Sequence, residues 1–432
     1  MRFRQNSLAL VLVATFGLVL GLSQPKTANG QILKQLGLRS GELITIDRPS
    51  KSELGITING KDYMVDFTLF SNRSTNFRLM VPSETGELVE VAAPPVNTIR
   101  GTLRGMAGSC VVGCITEQGC CAKIRLPSGK ECFMEPVSRT LENPAFDGMH
   151  VVYTNRDVIE TQTGCGTLSE AIEVAENAVT ETAGPLQVAD IAVEADFDFY
   201  LAFGSSTSAT LSQMELLINI ANEQYESQAG IRHLVSDTII RTTRSSNPWA
   251  TNDSSALVRQ LRDFYVSGDG AGTISGDLCH LFTGRVLLDN VGGIAFLGVV
   301  CNPESAFGIT TINSPLSIVS NILAHELAHE LGHNWNLQHC DCPAFTMNPF
   351  ITGSDSFSAA SITALTDYRD TLTCLDTLGV GFGLAGDIVN RNDEVTNRIR
   401  IPDLDFTSIR GSNVNATTQP NEQDLINTGS TT

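Results

Sequence analysis

Residues 325–340 read HELAHELGHNWNLQHC, and this run restricts the fold more than any other. His-Glu-x-x-His occurs twice, at His325–His329 and at His329–His333. Histidines four residues apart on an α-helix face the same way, so a pair can hold one divalent cation, with the following Glu beside it. A catalytic zinc takes three protein ligands and keeps one position for water. The third ligand therefore separates the two copies. Counted from His325 the third position is Trp335, which cannot ligate; counted from His329 it is His339. The second copy closes a site of His329, His333 and His339, with Glu330 as candidate general base. His325, one turn earlier, is read as a core residue or a support for the ligands, and Glu326 has no third ligand to serve. The chain must bend sharply after the helix for His339 to return. Asn336 stands at that bend, and Asn is the non-glycine residue that best tolerates left-handed backbone.

The surrounding pattern is α/β. "VADIAVEADFDFYLAF" reads as a buried strand and "TLSQMELLINIANEQYES" as a helix preceded by Ser/Thr caps. "IRHLVSDTIIRTT" is a strand and "SSALVRQLRDFYVS" a helix. "DLCHLFTG" and "GGIAFLGVVC" supply further strands. The histidine-bearing helix starts near Ser314 or Pro315, and "FSAASITALTDYRDTLTC" closes the unit as a helix. Such alternation predicts a mixed twisted sheet with an active-site helix over 187–376. Residues 31–155 read instead as short strands with Gly-rich turns, including an Asn-Gly hairpin signal within "ITINGKDYMVDFTLF". Residues 156–186 are small, polar and acidic, a linker; 377–432 form a weakly ordered acidic tail.

A net charge of −19 speaks against nucleic-acid binding, which needs basic patches. Arg2 and Arg4 precede the apolar run Leu8–Leu22, and Ala28-Asn29-Gly30 offers small residues for cleavage. This predicts a secretion signal over 1–30, because the run is shorter than the roughly 20 residues that cross a bilayer. No membrane anchor is expected, and the protein is expected outside the cell. Eleven cysteines in an exported chain then imply disulfides, and the odd count leaves at least one unpaired within the chain. Asn72, Asn252 and Asn415 head N-x-S/T triplets.

"HELGHNWNLQHC" resembles the signature of the metzincin zinc proteases, and within them the adamalysin (reprolysin) group, HE-x-GHN-x-G-x-x-HD. Gly332 and Asn334 match; Asn336 replaces a glycine, and Cys340 stands where the group has Asp. The resemblance implies a secreted zinc endopeptidase made as a zymogen, acting on protein or peptide substrates, and a monomer. It implies an α/β metzincin-like catalytic domain preceded by a mainly β propeptide domain over 31–155. Met347, in "CPAFTMNPF", would be the Met-turn beneath the metal. Ile294, Ala295, Phe296, Leu297 and Gly298 would be the edge strand that pairs with extended substrate. A Cys301–Cys374 disulfide is implied. Cys165-Gly166 lies where a cysteine switch would block the zinc, although "TQTG" precedes it in place of the usual Pro-Lys. Asp190 and Asp277 align with calcium ligands of some members. Two other readings stay open: an inactive adhesion protein of this type with a structural zinc, and a closed zinc site with Cys340 as fourth ligand.

Overall fold

The structure is a computed structural model and describes residues 26–378, apart from 48, 50, 51, 142, 160–163, 167–185, 289 and 313–319. The expected secretion signal thus lies largely outside the described residues, as does the tail after 378. The first part runs α1 (Lys26–Gln35), β1 (Glu42–Thr45), β2 (Glu53–Ile58), β3 (Lys61–Leu69), β4 (Arg73–Pro82), β5 (Leu88–Val91), β6 (Thr98–Leu103), β7 (Cys110–Thr116), β8 (Gly119–Arg125), β9 (Glu131–Pro136) and β10 (Met149–Tyr153). The second runs β11 (Gly164–Cys165), β12 (Leu186–Ala195), α2 (Phe197–Ala202), α3 (Thr207–Ala229), β13 (Ile231–Ile240) and α4 (Ser254–Val266). It continues with β14 (Leu278–Thr283), β15 (Val291–Ala295), β16 (Phe307–Thr311), α5 (Ser320–Asn334), α6 (Ala359–Thr371) and β17 (Asp376–Leu378).

Two sheets result. An antiparallel sheet orders β1-β10-β9-β8-β7-β6-β3-β2. Its β2–β3 hairpin turns at Asn59 and Gly60, with φ of 51° and 69°, the paired positive values a two-residue turn needs. The second sheet orders β11-β15-β16-β14-β12-β13-β4-β5, with β17 beside β12. Its central pairs are parallel, whereas β15 runs antiparallel to β16. Helices α3, α5 and α6 share one core with Ile191 and Phe282, and α4 packs a separate one around Trp249, Leu281 and Ile309. This is the helix-on-sheet layering that the alternating pattern predicts.

Three local differences have physical reasons. "DFYLAF" extends no strand: the Asp196 side chain accepts the Phe199 N–H and caps α2. The short strand β16 was not foreseen, since five residues of "FGITT" carry too little period to be read alone. The third concerns the predicted boundary. The hairpin β4–β5 leaves the first sheet, and β4 pairs parallel with β13 at the far edge of the second. Residues 73–91 therefore complete the second sheet, and 31–155 is not one closed β unit.

The seam between the two parts is charged in one direction. Arg73 meets Glu215 at 2.5 Å, Arg78 meets Asp237 at 2.7 Å, and Arg100 meets Glu226 at 2.6 Å. Lys123 and Arg125 both reach Glu223, at 2.8 and 2.6 Å, and Lys123 also meets Asp355. In each pair the cation comes from the first part and the carboxylate from the second. Glu226 also receives Arg232 at 2.7 Å. Burial pushes the Glu226 carboxyl up, but Arg100 and Arg232 outweigh it and hold it below the ordinary value.

Glu226→Ala would strand two guanidinium groups that are 10% and 8% exposed. The expected loss is about 3–5 kcal/mol, as for one half of a buried pair, read from urea or thermal unfolding. Because the folded carboxyl is depressed, its contribution is present above the unfolded carboxylate pKa and fades as pH falls through the folded value. The variant should therefore lose less stability than the parent on acidification. A loss under about 1 kcal/mol would mark the pair as solvent-screened.

Candidate active site

Helix α5 carries His329 and His333 on one face, and the following bend brings His339 to them. The three Nε2 atoms lie 3.0, 3.1 and 3.2 Å apart. Their far sides are anchored: His329 Nδ1 donates to Thr346 O at 2.7 Å, and His333 Nδ1 donates to Leu337 O at 2.7 Å. Donation through Nδ1 fixes the tautomer and leaves a lone pair on Nε2. Burial holds the rings neutral: His333 is depressed to about 3 and His339 to about 4, with His329 lowered as well.

The bend is a Schellman turn. Asn336 has φ 70°, and its N–H donates to His333 O at 2.9 Å, while Leu337 N–H donates to Gly332 O at 2.8 Å. Asparagine thus performs the left-handed step that sequence assigns to it. Asn334, just before, donates its side-chain amide to Phe296 O at 2.9 Å and Phe307 O at 3.1 Å. That ties the helix end to β16 and to the residue after β15. Trp335 is fully buried and donates through its indole to His233 Nε2 at 2.9 Å. The residue that disqualifies the first motif copy is thus an anchor for the bend.

Glycines and methionine shape the site from both sides. A Cβ at Gly332 would lie 2.6 Å from Met347 Sδ, so the predicted Met-turn packs directly against the helix backbone. Cβ atoms at Gly292 and Gly293 would lie 2.7 Å from Glu326 Cδ and 2.6 Å from Glu330 Cγ. Only bare backbone in β15 leaves these carboxyls room. Glu326 and Glu330 are both buried, and each keeps one oxygen without a hydrogen-bond partner. Burial raises both; Glu326 reaches about 8, and its proximity raises Glu330 further.

Cys165 enters from β11, which pairs parallel with β15. Its N–H donates to Pro349 O at 3.0 Å, and Gly166 N–H donates to Gly293 O at 3.0 Å. The Sγ lies 3.1 Å from Glu330 Oε1 and 3.4 Å from His333 Nε2. Cys165, His329, His333 and His339 form a cluster with all four donor atoms within 4.8 Å of one another.

The donor set fits zinc. Three lone-pair nitrogens face each other where they cannot hydrogen-bond together, and nitrogens at this spacing suit bonds of about 2.0–2.1 Å. The unsatisfied Glu330 oxygen beside them wants a proton or a cation-polarised partner.

The remaining candidates sort as follows. His325 sits off the cluster and donates through Nδ1 to Ser354 O at 2.5 Å. Cys340 is bonded to Cys342 and so is not a fourth ligand, while Cys301–Cys374 forms as the resemblance implies. The edge strand is Val291–Ala295; Ile294 and Ala295 belong to it, whereas Phe296, Leu297 and Gly298 lie past its end. Gly298 has φ 64° and donates to His333 O at 2.9 Å, so it buttresses the helix end. Asp277 Oδ2 accepts the Asp190 N–H at 2.8 Å, and Asp277 groups with Cys301 and Cys374, not with Asp190. That arrangement commits one Asp277 oxygen to the Asp190 backbone. Asn72 is 1% exposed, which closes that triplet to glycosylation in this fold. Sequence reading missed the far wall of the groove at Pro349 and Phe350, since nothing in "NPF" marks it.

Three histidines converge beside a buried glutamate, on a helix packed against a mixed sheet. Residues 186–370 match the reprolysin model of metallo-peptidase family M12, so this domain is a reprolysin-like metallopeptidase domain.

Gly332→Ala should cost about 1–3 kcal/mol by overpacking against Met347, measured by thermal unfolding. Adding Met347→Ala should return part of that cost, so the double-mutant cycle shows coupling. Strict additivity would mean that the sulfur and the helix do not constrain each other.

Proposed function

We propose that the protein is a secreted zinc endopeptidase made as a zymogen, with residues 31–155 acting as propeptide and Cys165 as its blocking thiol. The observation that carries this is the four-donor cluster of one cysteine and three histidines with Glu330 Oε1 3.1 Å from the sulfur. His329, His333 and His339 would hold zinc, and Cys165 would take the fourth position in the uncut chain. Zinc held there supplies Lewis-acid polarisation and brings the pKa of water in its open position towards 7.

The chain's own groups do the rest. The Cys165 sulfur fills the space beside Glu330 and keeps water and substrate from it. Once 164–166 leaves, the walls it used become free: Asn290 O and Gly293 O on the β15 side, Pro349 O on the other. Extended peptide can pair with these groups as an added strand. Glu330 then stands beside the scissile bond. It accepts a proton from the attacking water and hands it to the departing amine. Gly292 and Gly293 allow the substrate backbone to lie close over both carboxyls. Retention of Glu330 and an open metal position favours catalysis over an adhesive or purely structural role.

Glu330→Gln should keep the bound metal, by metal analysis, and lower peptide turnover by about 10²–10⁴-fold, the usual worth of a general base. Unchanged hydrolysis by the metal-loaded variant removes Glu330 from the mechanism. Cys165→Ser should make the uncut chain hydrolyse casein in a chelator-sensitive manner, while the parent stays silent until cleaved. An uncut variant as silent as the parent, yet active once cleaved, shows that the thiol is not the block.

A further inference from the structure

The first part of the chain holds five cysteines besides Cys165, and two of them are set apart. Cys114 on β7 and Cys121 on β8 stand directly opposite each other across an antiparallel pair. Both face the seam and belong to the core that contains α3, whereas Cys120 and Cys132 belong to the core of the first sheet. Cys110 faces the same way as Cys114 but stands opposite Arg125.

Cys114 and Cys121 line one end of a cavity of about 810 Å³ between the two parts, together with Arg139, Phe203, Ser212 and Gln213. Arg139 Nη1 lies 3.3 Å from Cys121 Sγ. Gln213 is 3% exposed, and its Nε2 has no hydrogen-bond partner. Arg139 is already paired with Glu135 at 3.2 Å, so the spare Gln213 amide donor is the group that suits a carbonyl or carboxylate of a small peptide-like molecule in this cavity. The cross-strand thiols are close enough to hydrogen-bond, which lowers Cys121 and raises Cys114; burial opposes the shift at Cys121, and Arg139 reinforces it.

We propose that Cys114 and Cys121 are a redox-active pair that reacts with a low-molecular-weight peptide disulfide admitted by this cavity. The Cys121 thiolate, beside Arg139, attacks one sulfur of the disulfide. A mixed disulfide forms, and the other half leaves as a thiolate. The Cys114 sulfur then attacks Cys121, its proton passing to the second departing thiolate. Two protein thiols are oxidised, and one disulfide is reduced to two thiols. Residues directly opposite on antiparallel strands have Cα atoms about 4.5–5.5 Å apart, within the range a disulfide spans. The pair connects to the active site, because Arg139 also donates to Ser320 Oγ at 2.8 Å, at the start of α5.

The test uses the full chain, reduced and then treated with oxidised glutathione. Remaining thiols are alkylated, and the protein is cut after Glu117, which puts Cys114 and Cys121 on separate peptides. The expected result is a Cys114–Cys121 link in the parent and in Cys120→Ser, with two fewer alkylated thiols. Cys114→Ser should stop at glutathione on Cys121. A link through Cys110, Cys120 or Cys132 would overturn the proposal. So would a mixed disulfide that persists in the parent, or no reaction with glutathione disulfide.

Discussion

Three imidazole nitrogens aimed at one another at 3.0–3.2 Å set the terms for everything around them. Each is buried and neutral, so the arrangement gains nothing from mutual hydrogen bonding and must be enforced by its surroundings. The enforcement is visible group by group. Thr346 O and Leu337 O fix two rings by accepting their Nδ1 protons. The left-handed step at Asn336 swings His339 back, and Trp335 and Leu337 bury the bend. Met347 closes the underside, where only glycine at 332 lets it reach the helix. A cation at the centre converts this imposed crowding into attraction, and so a metal and a scaffold are specified together.

The same economy governs the carboxyls. Glu326 and Glu330 are one helical turn apart, both buried against β15, and their like charge opposes joint ionisation. Gly292 and Gly293 are the reason they fit. A strand with side chains there would push the acid away from the histidines, so the edge strand's composition follows from the helix beneath it. Strand β15 and the Glu330 carboxyl are therefore one packing unit.

Much of this was readable from residues 325–347, because metal ligation demands fixed residue types at fixed helical offsets. His329, His333, His339 and Asn336 emerge where the spacing places them, and Met347 where the resemblance places it. The alternation of helices and strands was likewise legible, since most of its segments are long and periodic. What escaped was non-local. Nothing in "RSTNFRLMVP" says that β4 will join β13, more than 150 residues away in sequence, rather than its own neighbours. The one-sided charge of the seam was equally hidden: Arg100 and Glu226 look like ordinary surface charges until the fold leaves them only 10% and 15% exposed. Edge-strand limits failed at Phe296 because a strand ends where its hydrogen bonds go elsewhere, here to the Asn334 amide. Such competition is decided in three dimensions.

The segment 164–166 poses the last question of balance. Strand β11 has two residues, and backbone donors at 164, 165 and 166 reach Asn290, Pro349 and Gly293. At about 0.5–1.5 kcal/mol net for each, these bonds amount to only a few kcal/mol. A free tripeptide held so weakly would bind at millimolar concentrations at best. Tethering changes the arithmetic, because a segment carried by the same chain acts at an effective concentration that is itself millimolar or higher. The first part supplies that tether through β4 in the second sheet and the desolvated pairs at Glu215, Glu223 and Glu226. On the proposed zymogen reading, the tether adds to the thiol's own contact with the three histidines, so cutting the connection and loosening the seam are separable events.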